Sequence, residues 1–514
     1  MSPTPQTETV DVAVVGYGPT GVTAANLLGS MGLSVVVLER APDVFPRARA
    51  VSCDEEVMRI WQRVGLAERL KRDMLIDRPV AFVDARGRPM LTARLPSRGH
   101  GHPPQMFFYQ PALEQVLRAG VDRFPSVDVR LGHECVGLRQ DDDGVELVVR
   151  APSGATSRVT AAYVVAADGG SSPTRSRLKI AYQGRTHAKR WMVIDARVLK
   201  PWSGGDHMRF HCVPSMPAVD CPMPLGHHRW EFPIPPGHHG DKVDDDVVYR
   251  LVSRFGIGPD DVEILRAVTY EHHVRVAERW RAGRVLLAGD AAHAMPPWIG
   301  QGMGAGIRDV GNLCWKLEAV IRKTLPPAVL DSYEVERRAH VRRMSNNAVF
   351  VGRIITEPRR VVAGVRNLAL RTADTIPGMA DRLQDANWIP AARHRHGLIA
   401  RPRTRASGAM LPQVHVRTSD GTRRLLDDAL PKGWVLLTTG QSTPQPHWST
   451  VERFTVAAAE DQPTPGTIVD EQGTLLHWLD ERRVTDVVVR PDGYVYAAAR
   501  SGRRLPDLPR VASG

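Results

Sequence analysis

At 514 residues, 42% hydrophobic and 24% charged, the chain has the length for about three domains and the make-up of a folded globular protein rather than a disordered one. Its net charge of +12 favours anionic ligands, but the arginines run along the whole chain and belong to no nucleic-acid-binding module, so acidic small molecules are expected and nucleic acid is not. Five scattered cysteines (Cys53, Cys135, Cys212, Cys221, Cys314) form no CxxC pair and point to a cytoplasmic setting, while the N-terminal stretch lacks a signal peptide's basic region and no run of about twenty apolar residues could span a membrane.

The first predicted element is a strand over residues 10–15, followed by GYGPTG at 16–21 and a small-residue helix start at 22–28. In such a corner Gly16, Gly18 and Gly21 let the backbone approach a pyrophosphate closely enough for helix N-terminal amides to hold it. A second apolar run, 33–38, ends at Glu39, eighteen residues after Gly21, close to the spacing of about twenty at which an acid binds a ribose hydroxyl. Without that context the glycines fit a plain turn and Glu39 a solvated strand end.

Residues 163–177, YVVAADGGSSPTRSR, give another strand, ending at Asp168-Gly169, then a turn and a helix with Arg175 in its first turns. Segment 185–275 is rich in proline, histidine and aromatics, with strand-like alternation at 190–198, and His207, Arg209 and His211 alternate as if on one face of a strand. A third buried strand, in RVLLAGDAAH (284–293), ends at Gly289-Asp290 and leads through MPPWIGQGMG (295–304) into a helix carrying Asp309, Asn312 and Trp315. Taken singly, each corner also admits an ordinary strand-to-helix turn with aspartate as the N-cap. The spacing of Leu330, Tyr333, Val341 and Met344 predicts a long amphipathic helix over 328–355, its charges forming a solvated face. A composition change at 401–404 marks a boundary, and 409–514 reads as a compact unit with strands in GWVLLTTG and RVTDVVVRPDGYVYAAA, the second bent at 491–493.

In this order and with this content, the three corners resemble the class A FAD-dependent aromatic hydroxylases of the p-hydroxybenzoate hydroxylase superfamily. Within it, DEEVMR at 54–59, Arg229-Trp230-Glu231-Phe232, the GDAAHAMPPWIGQGMGAGIRDVGNLCWKL block from Gly289 and the ending at 489–494 are similar to 3-(3-hydroxyphenyl)propionate hydroxylase-like monooxygenases. The resemblance covers nearly the whole chain. It implies an α/β fold: a Rossmann-like FAD-binding domain of the p-hydroxybenzoate hydroxylase type (8–80, 103–181 and 276–400), an inserted β-sheet substrate domain (81–102 and 182–275) and a C-terminal thioredoxin-like domain (409–514). Residues 401–514 hold no cysteine, which removes thiol redox work from that last unit.

By the same resemblance, Gly16, Gly18, Gly21 and Glu39, with Arg40 beside them, serve the ADP moiety of FAD. Arg49 lies near the pyrophosphate and Gln110 contacts the cofactor. Asp168-Gly169 serves FAD and NAD(P)H together, and Gly289-Asp290 binds the ribityl and pyrophosphate region. In the segment holding Pro297, Gly300, Gly302 and Met303, prolines stiffen the backbone and glycines let its amides approach the isoalloxazine. No metal is implied.

The implied reaction is hydroxylation of a phenolic or other electron-rich aromatic by O2 through a flavin C4a-hydroperoxide, with FAD as cofactor and NADH or NADPH as co-substrate. Epoxidation, Baeyer-Villiger oxidation and a catalytically silent flavin-binding protein remain alternatives, and a homodimer is left open. A disulfide reductase is disfavoured because no second glycine-rich nicotinamide motif or cysteine pair is present, and a halogenase because WxWxIP is missing. For phenol activation His211 is the candidate base and Arg209 the candidate partner of a substrate carboxylate, although both also fit exposed positions. Val213-Pro214-Ser215-Met216-Pro217 and Gly304-Ala305 depart from the resembled pattern near the expected pocket, which favours a bulkier or less acidic aromatic than hydroxyphenylpropionate.

Overall fold

Valine-rich runs with few polar positions suit strands covered on both faces, and this is how the centre of the first sheet forms. In the computed structural model, which describes residues 8–508 apart from 203–204, 235–242, 377–388, 441–447 and the side chains of 187–189, the strand Glu8–Val15 pairs in parallel with Val35–Glu39 and with Thr156–Ala166. Val127–Leu131 extends this sheet on one side and Val285–Leu287 on the other, both in parallel. The helices Pro19–Ser30, Gln110–Val121 and Gly302–Ile321 contribute Leu28, Leu117 and Leu313 to the core around it.

A second, eight-stranded sheet is built around the long antiparallel pair Tyr182–Val198 and Val262–Ala277. It continues through His227–Pro233, Ala218–Met223 and Met208–His211 to Val80–Val83 and Pro89–Ala93, so residues far earlier in the chain complete its edge. Its rear face is covered by the helix Asp245–Val252, with Met192, Ile194, Trp230 and Phe232 in the shared core. The front face looks across a cavity toward the first sheet.

The C-terminal unit holds a seven-stranded sheet with its own core of Val416, Leu437, Ile468, Leu475 and Val487. Three of its strands, Val435–Thr438, Glu452–Ala457 and Thr467–Asp470, run parallel, and Asp486–Val489 and Val495–Ala499 form an antiparallel edge around the expected bend. Buried charges tie this unit to the rest of the chain: Arg59 to Asp427 at 2.7 Å, Arg490 to Glu336 at 2.8 Å, and the Tyr494 hydroxyl to Glu56 at 2.9 Å.

The long helix runs from Asp331 to Ile355, close to expectation, but its charges are not all solvated. Glu336, Arg337 and His340 are buried, because the helix lies between the FAD sheet's helices and the C-terminal unit. Lys316 and Arg490 neutralise Glu336, and Asp309 pairs with Arg337 at 2.9 Å. All five cysteines are buried and unbridged. Among the described residues no helix is long and apolar enough to cross a membrane.

Candidate active site

A cavity of about 880 Å³ runs from the C-terminal ends of the first sheet to the front face of the second. At its first end Gly16 has φ +98°, and a Cβ there would lie 2.4 Å from the Ala167 carbonyl oxygen; at Gly21 it would lie 1.9 Å from that of Gly16. Only glycine lets strand, turn and helix close up this tightly. The helix that follows, Pro19–Ser30, has Gly18 as its N-cap and no side-chain cap, so the first-turn amides after Pro19 have no side-chain partner where Gly18, Pro19 and Thr20 border the cavity. Glu39 borders the same space, its carboxylate oriented by the amides of Tyr17 at 2.7 Å and Ala41 at 2.8 Å.

The other two corners converge on this turn. Asp168 accepts from the Thr174 amide at 2.9 Å at the start of the short helix Pro173–Arg177, whose N-cap is Ser172. Arg175 donates to the carbonyls of Gly170 and Ala291, tying the second corner to the third. Gly289, with φ +60°, packs so closely on Thr20 that a Cβ would meet its Oγ1 at 2.6 Å, and Asp309 accepts from the Gly289 amide at 3.1 Å. Gln110 accepts from the amides of Arg49 and Ala50, both at 2.7 Å, so it shapes the loop that carries Arg49.

Farther along, Pro297–Ile299 forms a single 3₁₀ turn ending at Gly300, and the helix Gly302–Ile321 starts beside the cavity without a side-chain cap. Arg308 in that helix donates to Gln301 at 3.1 Å and to Glu56 at 2.6 Å, and it also pairs with Asp54. Its guanidinium holds the Glu56 carboxyl well below the usual range despite burial. These open amides, the acid at the strand end and the cavity between the two sheets fit FAD.

The far end of the cavity is walled by Val80, Phe82, Leu91, Met208, Phe210 and Val219, with Trp298 and Phe350 opposite. Two polar side chains of the second sheet interrupt that wall, Arg229 and Glu231. Arg229 binds Asp195 at 2.6 Å and donates to the Ala48 and Arg49 carbonyls, while Arg266 binds the other Asp195 oxygen at 2.7 Å. Glu231 accepts from the Tyr270 hydroxyl at 2.8 Å, and burial pushes its carboxyl above the ordinary value.

Of the residues singled out from the sequence, Gly16, Gly18, Glu39, Arg40, Arg49, Gln110, Asp168, Gly169, Asp290, Pro297, Gly300, Gly302 and Met303 all border the cavity. Gly21 and Gly289 lie just behind its wall, as close-packing residues. Arg209 and His211 need correction. They project from the rear of Met208–His211, where Arg209 pairs with Asp220 at 2.9 Å, His211 approaches it at 3.6 Å and His228 binds it at 2.5 Å. Their neighbours Met208 and Phe210 face the cavity instead, since alternate residues of a strand take opposite faces. Residues 213–217 and Gly304-Ala305 do not border the cavity either, and Met216 packs into the rear core. Sequence reading missed Glu231, Tyr270, Arg229 and the Asp54–Glu56–Arg308 cluster as site residues. A signal for two of them was present: Trp230 and Phe232 are bulky and apolar, which places Arg229 and Glu231 on the other face.

Residues 9–348 match the family model described as FAD binding domain, and residues 408–510 the one described as HcaD C-terminal domain. A 3-(3-hydroxy-phenyl)propionate/3-hydroxycinnamic acid hydroxylase from Burkholderia cenocepacia (strain HI2424) is 38% identical over 513 residues, covering 95% of this chain and 93% of the relative. Among solved structures, the flavin-dependent monooxygenase PieE, in complex with FAD and substrate, has a TM-score of 0.79 at 23% identity over 97% of both chains and shares the fold. The OxyS anhydrotetracycline hydroxylase from Streptomyces rimosus has a TM-score of 0.74 at 27% identity over 96% of both chains. With three glycine corners around one cavity and a full-length match of this kind, the chain belongs to the FAD-dependent aromatic hydroxylases of the FAD-binding-domain family.

Proposed function

We propose that the protein hydroxylates the ring of a phenol with a bulky apolar body, using NADH or NADPH and O2. The observation that carries this reading is the far end of the cavity, where aliphatic and aromatic side chains form an extended apolar wall. The chemistry that FAD supplies when bound is hydride acceptance and reductive activation of O2, one atom entering the ring and the other leaving as water.

The chain's own residues bind, orient and exclude water. Helix amides beyond Gly18 and the Arg49 loop are suited to the pyrophosphate, and Glu39 to the ribose. The turn from Pro297 to Gly302 would back the isoalloxazine, and Arg308 braces it through Gln301. Phe82, Phe210 and Trp298 keep the reacting end dry, which limits loss of oxidising equivalents to water. The sheet connectivity supports a division into one FAD-binding unit (8–80, 103–181 and 276–400), an inserted substrate unit (81–102 and 182–275) and an appended unit (409–514).

A second reading, a phenylpropionate-type acid, is favoured by Arg98, which borders the cavity and has the Ile389 carbonyl as a partner. Anaerobic stopped-flow reduction of the FAD-loaded protein by NADH and by NADPH tests both. Acceleration by 2-naphthol but not by 3-(3-hydroxyphenyl)propionate is the expected result. Acceleration by the acid alone, lost in Arg98→Met, would replace the first reading with the second. A flavin never reduced under any condition would overturn both, and a product without a new ring hydroxyl would point to epoxidation or Baeyer-Villiger oxidation.

A further inference from the structure

Glu231 is the one carboxylate that the described strands of the second sheet contribute to the cavity wall. It stands on the strand His227–Pro233, facing the same side as Val219 and Cys221 and next to the apolar surface of Phe210 and Met208. Its Oε2 accepts from the Tyr270 hydroxyl at 2.8 Å. Oε1 has no hydrogen-bond partner among the described residues, and Glu231 forms no ion pair there, because Arg229 and Arg266 are both engaged by Asp195. A carboxylate held by a neutral hydroxyl on one oxygen and open to an apolar cavity on the other is arranged to receive a donor from a ligand.

We propose that Glu231, oriented by Tyr270, accepts the proton of the substrate's ring hydroxyl. The phenol O–H bond breaks, an O–H bond forms at Oε1, and the electron pair stays on the phenolic oxygen, where it enriches the ring for attack by an electrophilic oxygen. The proton goes back to that oxygen when the product leaves. This inference rests on the phenol reading above and deepens it. Four groups facing Glu231 set its proton affinity: Arg229 on its own strand and Arg266 and Tyr270 on Val262–Ala277 lower it, while Asp195 on Tyr182–Val198 raises it. Burial outweighs them and raises the carboxyl above its ordinary value, toward that of an effective acceptor.

The test compares 2-naphthol with 2-methoxynaphthalene, which keeps the ring and lacks the donor, binding each to the FAD-loaded protein and reading the flavin absorbance change. The wild-type protein is expected to prefer the naphthol about tenfold or more, as a hydrogen bond to a charged acceptor allows. Glu231→Leu is expected to bring the two affinities within about twofold of each other, with Glu231→Gln between and Tyr270→Phe retaining most of the preference. In the wild type the preference shrinks as pH falls through the raised carboxyl value, and Glu231→Gln loses that dependence, a readout independent of the leucine variant's folding. A wild-type preference that survives unchanged in Glu231→Leu, or a pH dependence unchanged in Glu231→Gln, overturns the role of Glu231 and leaves the phenol reading standing. Failure of the wild type itself to bind or prefer the naphthol, together with no acceleration of flavin reduction, overturns both.

Discussion

Asp220, buried, and Glu231, half-buried, are carboxylates on paired strands, one register step apart, with Asp220 opposite Trp230 and Val219 opposite Glu231. They point to opposite faces of one sheet and differ in every electrostatic respect. On the rear face Asp220 meets Arg209, His211 and His228, which hold its carboxyl well below the usual range against the cost of burial. On the front face Glu231 meets a neutral tyrosine hydroxyl, and its carboxyl is raised. The rear cluster satisfies itself and serves the fold. The front carboxylate leaves one oxygen free, a poor arrangement for stability and a useful one for a ligand.

Substituting the rear hub gives the largest expected effect. Asp220→Ala leaves Arg209 without its counter-charge and His228 without its hydrogen-bond partner and should lower stability by about 3–5 kcal/mol in thermal or urea unfolding, while the folded fraction keeps its ligand preference. Because the folded carboxyl value is depressed, the stability it contributes is present above the unfolded value and lost as pH falls toward the folded one. The melting-temperature gap between wild type and Asp220→Asn should therefore hold steady above about pH 5 and close progressively below about pH 4.

Arg229→Met is the next in size. It removes a buried partner of Asp195 and the donors to the Ala48 and Arg49 carbonyls, so FAD titration should show affinity weaker by about tenfold, with a stability loss of about 3 kcal/mol. If FAD affinity stayed at the wild-type level, the front cluster would be as purely structural as the rear one.

Glu231→Gln should move stability the other way. With the folded value raised, the ionised carboxyl works against folding, and relative stability is lost as pH rises through the folded value. Glutamine removes that loss, so the variant should melt above wild type at pH 8 by an amount equivalent to about 1 kcal/mol, the gain fading as pH falls through the raised folded value and absent below about pH 4. A lower melting temperature at pH 8 would place Glu231 with Asp220 as a stabilising group. The smallest effect belongs to Arg209→Met, whose partly exposed guanidinium is expected to contribute no more than about 1 kcal/mol, with turnover unchanged. A large loss of turnover would restore Arg209 as a site residue.

What could be read from the chain follows the same division. The FAD corners were legible because their requirements are local: a glycine where no Cβ fits, a helix start left open, an acid at a strand end. The strand around Arg209 was legible as a strand, but its facing was not, since a shift of one residue exchanges the two faces and both are largely covered here. The decisive fact, that Asp220 supplies the counter-charge on the rear face, depends on a pairing between strands. Likewise the helix Asp331–Ile355 reads as amphipathic with a charged outer face, yet Glu336 is buried because its partner Arg490 arrives from the far end of the chain. Arg229 and Glu231 were within reach, given weight on the apolar Trp230 and Phe232 between and after them.

The five cysteines take on a different meaning beside such chemistry. Burial raises the thiols of Cys53, Cys135, Cys212, Cys221 and Cys314, and Cys135 and Cys221 border the cavity itself. Under the proposed function, in which O2 is reduced, the catalyst is the first molecule to meet whatever hydrogen peroxide escapes it, and peroxide attacks thiolates far faster than thiols. Sulfur kept protonated and out of solvent gives the chain durability against its own by-product, so repeated idle turnover should wear out the reductant supply before it damages the catalyst.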